Sequence, residues 1–387
     1  MRSLVRALAF AGVAALAACA PGPSPTAGAP PVEPPRGVSV PSGPGPGFTP
    51  LRHAQIPGWA ADRQARAIPA FLAGCARMDA APGAPLGGQG DASRLGGDPR
   101  QWADACAAAR ALPPGDDAAA RAFFESRFQA FLVSNDGAPT ALFTGYYEPE
   151  VRGSRRSDRT YHTAVHRRPP DLGPSPRNSP YLTRAQIDGG ALAKKRLELL
   201  YLADPVDAFF LHIQGAGRVR LPDGKIVRLN YDGQNGHPYV PIGRVLVDRG
   251  EMTLEQVSMQ SIRAWLAAHP KEARGLMHSN PSYVFFRELP DPGPDVGPPG
   301  AMGAPLTPMR SVAVDRAFLP LGAPIWIDTR DAATGETMQQ LMMAQDIGGA
   351  IRGPVRADIF YGWTKDAEDR AGRMRAQGAI YLLLPKR

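Results

Sequence analysis

The feature that most restricts the fold is a series of short apolar runs between residues 311 and 384. They read SVAV at 311–314, PIWI at 324–327, LMMAQ at 341–345, ADIF at 357–360 and AIYLLL at 379–384. A four-residue apolar run cannot be told from a piece of buried helix by pattern alone, but short runs at regular spacing suggest a small barrel or sandwich. One helix is expected among them, over 365–376, with Thr364 as N-cap and Gly378 as its stop. The third run delivers Asp346 onto Gly348 and Gly349, within MAQDIGGAIRG. Paired glycines supply the positive φ and close approach of a turn, so a carboxylate at that strand end faces a cleft. On residue type alone, an Asp in such a place more commonly serves only to accept N–H groups of its own turn.

The start of the chain has the pattern of an export signal. Arg2 and Arg6 precede the apolar run 7–18, which is too short to be read as a membrane span, and the run ends in Leu16-Ala17-Ala18-Cys19. That quartet resembles the bacterial lipobox, whose Cys is diacylated and becomes the first residue; the alternative is an ordinary signal peptide with a chance Cys. The resemblance implies a signal peptide over 1–18, lipidation at Cys19 and, with Ala20 following, an outer-membrane lipoprotein facing the periplasm. At roughly 0.8 kcal/mol per buried CH₂, two or three acyl chains anchor a protein without a transmembrane helix. Residues 19–47 are saturated with Pro and Gly and cannot bury enough surface to fold, so a tether is expected there.

The whole chain, 387 residues with 43% hydrophobic content, is long enough for two folded units. The net charge of +8 favours an acidic partner such as an anionic membrane surface or cell-wall polymer. Its Lys and Arg residues are scattered without interleaved aromatics, which argues against nucleic acid. Helical patterns cover 63–78, 102–112 and 119–133. Cys75 and Cys106 fall on the first two, and an oxidising compartment favours a disulfide between them. No Cys-x-x-Cys occurs, and a metal site is not expected.

The middle of the chain carries polar and aromatic groups suited to sugars. In LFTGYYEPEV, Gly145 interrupts an aromatic strand and marks a bulge or a ligand's approach, while Tyr146 and Tyr147 are placed either to stack on sugar rings or to pack in a core. A capping box at 183–186 opens a helix toward residue 198, and another at 253–256 opens a helix ending before His269. Pro222-Asp223-Gly224 makes a hairpin turn. Gly215-Ala216-Gly217 is followed by a strand where a dinucleotide site needs a helix, so no such cofactor is expected. Gln214 and the 232–239 loop, DGQNGHPY, offer amides of the kind that bond sugar hydroxyls and acetamido groups. The Pro- and Gly-rich stretch 289–306 is expected to be an exposed excursion.

Taken together, TGYYEPEV, HIQGAGRVRLPDG, YDGQNGHPYVPIGRVLVDRGEM, SMQSIRAWL, NPSYVFF and AQDIGGAIRGPVRADIFYG resemble the membrane-bound lytic murein transglycosylase A family, from residue 56 to the C-terminus. The resemblance implies a mainly β protein with flanking helices, a double-psi β-barrel interrupted by a second, mostly β domain. It places the barrel in 48–143 and 281–387 and the inserted substrate-binding domain in 144–280. It implies peptidoglycan glycan strands as the partner, no cofactor, a monomer, and Asp346 as the catalytic acid with Asp358 and Asp315 as supporting acids. Thr144, Gly145, Tyr146, Tyr147, Gln214, Gly215, Asn235, Gly348 and Gly349 are the expected glycan-binding residues.

One carboxylate suffices for such an enzyme, because the muramic acid's own 6-hydroxyl is the nucleophile and closes a 1,6-anhydro ring. A hydrolase using water needs two. Asp346 must then start protonated, which burial favours and an approach of Arg352 would oppose. Two alternatives stay open: a non-catalytic barrel that binds or loosens peptidoglycan, and a hydrolase pairing Asp346 with Asp358 or Asp315.

Overall fold

The computed structural model describes residues 32–80, 95–96, 99–173 and 179–386; the leader, Cys19 and the first part of the tether lie outside the described residues. Within them, strand β1 (Pro46–Leu51) is followed by helices α1 (Ile68–Ala80), α2 (Pro99–Arg110) and α3 (Asp117–Arg127), then strands β2 (Phe128–Asn135) and β3 (Ala141–Tyr146). The next strands are β4 (Glu150–Ser154), β5 (Thr163–His166) and β6 (Glu198–Leu202). Helix α4 (Pro205–Gln214) leads into the hairpin β7 (Ala216–Arg220) and β8 (Ile226–Gln234), with its turn at the expected Pro-Asp-Gly. Helices α5 (Ile242–Asp248), α6 (Met259–Ala268) and α7 (Pro270–His278) precede β9 (Val284–Leu289). The chain finishes with β10 (Ser311–Val314), β11 (Pro324–Arg330), β12 (Thr337–Asp346), β13 (Arg356–Phe360), helix α8 (Lys365–Arg373) and β14 (Arg375–Pro385).

Two sheets organise these elements. In the first, the order β14-β11-β12-β10-β13-β3 closes on itself through β3–β14 pairing, giving a six-stranded barrel, and β2 and β1 extend it from β14. Two of its pairs, β10–β12 and β13–β3, are parallel. Closure requires a strand with partners along its whole length, and β14 supplies it: residues 375–378 pair with β3, 379–382 with β11 and 381–385 with β2. The second sheet has the order β5-β6-β4-β7-β8-β9. The mainly β architecture with an inserted second sheet is therefore the one the resemblance implied.

The largest core lies between the barrel and α1–α3, where Phe71, Phe124, Phe128 and Trp102 meet at ring separations of 5.8–6.0 Å. Cys75 and Cys106 are joined there in a disulfide that ties α1 to α2 across a sequence separation of 31.

Four local expectations are corrected. The helix over 119–133 stops at Arg127: pairing of 128–132 with β14 and of 130–135 with β1 draws 128–135 into the sheet, and tertiary pairing overrides a helical pattern. Thr183 does make its capping box, but the helix lasts one turn, passes through a distorted turn with Gly190 at φ +91°, and gives way to β6. Helix α8 ends at Arg373, so Gly378 is no stop; it sits inside β14, where a side chain would collide with the Asp328 carbonyl at 2.1 Å. Finally, β9 pairs with β8, so the inserted sheet runs to Leu289 and begins only after Tyr146; boundaries at 144 and 280 cut through β3 and before β9.

Candidate active site

Asp346 ends β12, opposite Ala313 of β10, and Ala313 in turn pairs with Asp358 of β13, which pairs with Thr144 of β3. Directly paired residues share a face, so Asp346, Ala313, Asp358 and Thr144 form one row across four strands. Ala313 puts only a methyl group between the two carboxylates. Tyr146 lies two residues beyond Thr144, hence on the same face, and its hydroxyl donates to Asp346 Oδ2 at 2.9 Å.

The other oxygen, Oδ1, accepts the N–H groups of Ala301 at 2.8 Å and of Ile347 at 2.9 Å. With Oδ1 taken by two donors that cannot turn around, a proton on this carboxyl resides at Oδ2, where the Tyr146 hydroxyl can rotate to accept it. Burial pushes the Asp346 carboxyl up to about 6; the N–H groups of Ala301 and Ile347 and the Tyr146 hydroxyl oppose the rise, and the charge of Asp358 adds to it. Arg352, the cation feared from sequence, is exposed to solvent and is not among the groups acting on Asp346.

Asp358 has different company. The Thr144 hydroxyl donates to Asp358 Oδ1 and accepts from Arg356 Nη2 at 2.7 Å. Burial pushes this carboxyl up as well, while the Arg356 charge and the Thr144 hydroxyl pull it back. Asp315, the third aspartate, stands apart from this group. It accepts the N–H groups of Gly353 at 2.9 Å and Ala317 at 3.1 Å, and so pins the loop that follows Asp346.

The segment 289–306 is an exposed excursion only in part: Pro290, Asp291, Pro292, Pro294 and Asp295 are exposed, as expected, but most of the remainder is not. It folds back so that Gly297, Pro298, Ala304 and Leu306 are buried, and it brings the Ala301 N–H to the acid. Gly300 is required there: a Cβ would lie 2.5 Å from the Gln345 carbonyl oxygen and 3.2 Å from Asp346 Cβ. Local composition could not reveal this contact, because its partner is 45 residues away.

Several expected glycan contacts are used within the protein. Asn235 is fully buried, donates to the carbonyls of Leu182 and Pro281, and accepts from the Tyr283 N–H. Tyr147 is 4% exposed and donates to Glu368, while its N–H donates to Gln214 Oε1 at 3.0 Å; it is a core residue and Gln214 its anchor. Gly215 caps α4 in the left-handed region. At Gly145 the close neighbour is the protein itself, since a Cβ would meet the Tyr361 ring at 2.7 Å and Ala371 Cα at 2.9 Å. Neither Gly348 nor Gly349 has a positive φ; in that loop Gly353 does, at +93°. Thr144, Tyr146, Gly348 and Gly349 remain beside the acid. Arg356, overlooked in the sequence, was detectable as a basic residue two positions before Asp358 on one strand face. Among the described residues no three His, Cys, Asp or Glu side chains group as metal ligands.

Residues 142–287 match the MltA specific insert domain and residues 310–384 match the 3D domain. Membrane-bound lytic murein transglycosylase A of Escherichia coli is 35% identical over 276 residues, spanning 70% of this chain and 72% of the relative. Among solved structures, the membrane-bound lytic murein transglycosylase of Agrobacterium tumefaciens superposes with a TM-score of 0.76 at 34% identity, covering 87% of this chain and 97% of its own. The E. coli MltA with bound chitohexaose gives 0.65 at 30% identity, covering 83% and 90%. With this barrel, this inserted sheet and these relatives, the chain belongs to the membrane-bound lytic murein transglycosylase A family.

Proposed function

We propose that Asp346 is the single acid and base of a peptidoglycan lytic transglycosylase that cleaves the β-1,4 bond between N-acetylmuramic acid and N-acetylglucosamine. The observation that carries this reading is the carboxyl itself. It is held by two backbone N–H groups at Oδ1, left with a proton site at Oδ2, and pushed up to about 6 by burial. Such a group is partly protonated near neutral pH and can donate. Asp346 gives its proton to the glycosidic oxygen as the bond to the muramyl anomeric carbon breaks. As a carboxylate it then takes the proton of the muramyl 6-hydroxyl while that oxygen bonds to the same carbon. The acid is regenerated, no water is consumed, and the product ends in 1,6-anhydromuramic acid.

In this reading Asp358 has no water to activate, because the muramyl 6-hydroxyl is the nucleophile; its Oδ1 accepts from Thr144, which Arg356 holds in turn. Its charge favours the protonated form of Asp346 beforehand and the positive anomeric carbon during cleavage. The glycan partner is peptidoglycan, in keeping with the names of the relatives and with the chitohexaose bound to one of them. We assign the lipid anchor to Cys19, which makes the protein an outer-membrane lipoprotein facing the periplasm, and we take it to act as a monomer. The tether expected over 19–47 is shorter than that, because Val32, Val38 and Val40 pack against the barrel core and Pro46 and Gly47 already belong to β1. Mass spectrometry of peptidoglycan digested by the chain tests the reaction. Anhydro-muropeptides are expected; products heavier by one water would establish a hydrolase, and no products a binding protein.

A further inference from the structure

Four side chains of the inserted domain converge on the segment that brings Ala301 to Asp346. Glu148, just after β3, is fully buried and accepts from Arg218 Nε and from Arg228 Nε, each at 2.9 Å. Two buried guanidiniums against one carboxylate leave a charge that must find other acceptors. They find backbone carbonyls: Arg218 donates to Pro294 O at 2.8 Å, and Arg228 to Val296 O at 3.0 Å and Gly293 O at 3.4 Å. Prolines at 290, 292, 294, 298 and 299 deprive this stretch of N–H groups, so it cannot join a ladder and its carbonyls are left for side chains. Asn230 Nδ2 reaches Pro299 O at 3.3 Å, next to Gly300. The cluster is fixed to the barrel too, through the Glu148 N–H on Gly362 O at 2.8 Å and the Arg218 guanidinium 4.4 Å over the Trp363 ring.

We propose that Glu148, Arg218, Arg228 and Asn230 are positioning residues for the reaction: they clamp residues 293–299 so that the Ala301 N–H is held on Asp346. From Val296, the last clamped carbonyl of the arginines, to Ala301 the φ of Pro298 and Pro299 is fixed, and Gly297 and Gly300 are packed so closely that a Cβ would lie 2.1 Å from Leu306 O and 2.5 Å from Gln345 O. The loop closes on itself with Gly300 N–H on Ala304 O and Leu306 N–H on Pro298 O, both 2.9 Å, so movement at the clamp is passed to Ala301. This rests on Asp346 being the acid, and the test separates the two.

The test measures anhydro-muropeptide release against pH for the full chain, with Arg228→Lys, Asn230→Ala and Asp346→Asn side by side. Arg228→Lys keeps the charge and loses the fork. The charged and titratable groups facing Asp346 are Asp358, with Arg356 behind it, and Tyr146, and none is altered. Loosening the Ala301 N–H removes a stabiliser of the carboxylate, so the alkaline limb of kcat/KM is expected to move up by about half to one pH unit. A merely structural defect lowers activity equally at all pH and leaves the limb in place. Folded Arg228→Lys and Asn230→Ala proteins with an unmoved limb, beside an inactive Asp346→Asn, overturn the clamp alone. Should Arg228→Lys not fold, the limb of Asn230→Ala decides; an active Asp346→Asn overturns clamp and acid together.

Discussion

Asp346 and Asp358 stand on either side of Ala313, one strand away from it each, on the same face of the same barrel. Burial pushes both carboxyls up, yet their surroundings differ in kind. Asp358 has a cation two residues away on its own strand and a hydroxyl relaying to it; Asp346 has only dipoles, from two peptide groups and a phenol. A full charge nearby favours ionisation more strongly than neutral donors do. The comparison teaches that the sheet supplies equivalent places for carboxylates, while the neighbours reached from other elements oppose the effect of burial more weakly at Asp346 than at Asp358, as the proposed division of roles requires.

The strongest way to break this distinction is Asp346→Asn, which keeps size and most hydrogen bonding but cannot donate a proton. Release of anhydro products is expected to fall by about 10²–10⁴, with sedimentation on insoluble peptidoglycan retained. Near-normal release by the folded variant would remove Asp346 from the mechanism. Next comes Gly300→Ala: the added Cβ has no room beside Gln345 O, so the loop must retreat from the acid. A loss on the order of 10-fold is expected at neutral pH, together with an upward-shifted alkaline limb. An unchanged profile would mean that the Ala301 N–H does not matter to the acid.

Asp358→Asn sharpens the comparison through the sign of its effect. The Asp358 charge raises the pKa of Asp346, so removing it should lower that value and move the alkaline limb of kcat/KM toward acid, by no more than about half a pH unit. Movement the other way would contradict the electrostatic role. Tyr146→Phe removes a donor that favours the carboxylate, so its limb should move toward alkali, by about half a unit.

Stability offers a fifth, non-catalytic measure. Because Asp346 binds its proton more tightly folded than unfolded, its contribution is lost as pH rises from the ordinary value of 3.8 through about 6. Asp346→Asn lacks that penalty. It should therefore be more stable than the parent at pH 7.5, by roughly 1–2 kcal/mol for this partly solvated group, and no more stable at pH 3.5. Thermal unfolding at the two pH values reads the difference; equal stability at pH 7.5 would argue that Asp346 is not strained by burial.

Much of the barrel was legible because its strands carry their own signals. The runs at 311–314, 324–327, 341–345, 357–360 and 379–384 all lie within observed strands, the Pro-Asp-Gly turn sits between β7 and β8, and Asp346 does end a strand. These are local properties: alternation, apolar length and turn chemistry are written in neighbouring residues, and a motif-borne resemblance added the closed barrel and its insert. What failed was whatever depended on a distant partner. Residues 128–133 look helical until β1 and β14 flank them, and Gly145 looks open until Tyr361 and α8 close over it. Asn235 and Tyr147 look available to a sugar until Tyr283 and Glu368 claim their polar atoms. The stretch 289–306 was the clearest case. Its prolines and glycines correctly announce a chain that forms no ladder, but its use was decided only when buried arginines of the inserted sheet took its carbonyls and Asp346 took its N–H. Sequence thus determined that Asp346 ends a strand beside a glycine-rich loop; tertiary structure decided which donors and charges surround it, and those set where its proton is held.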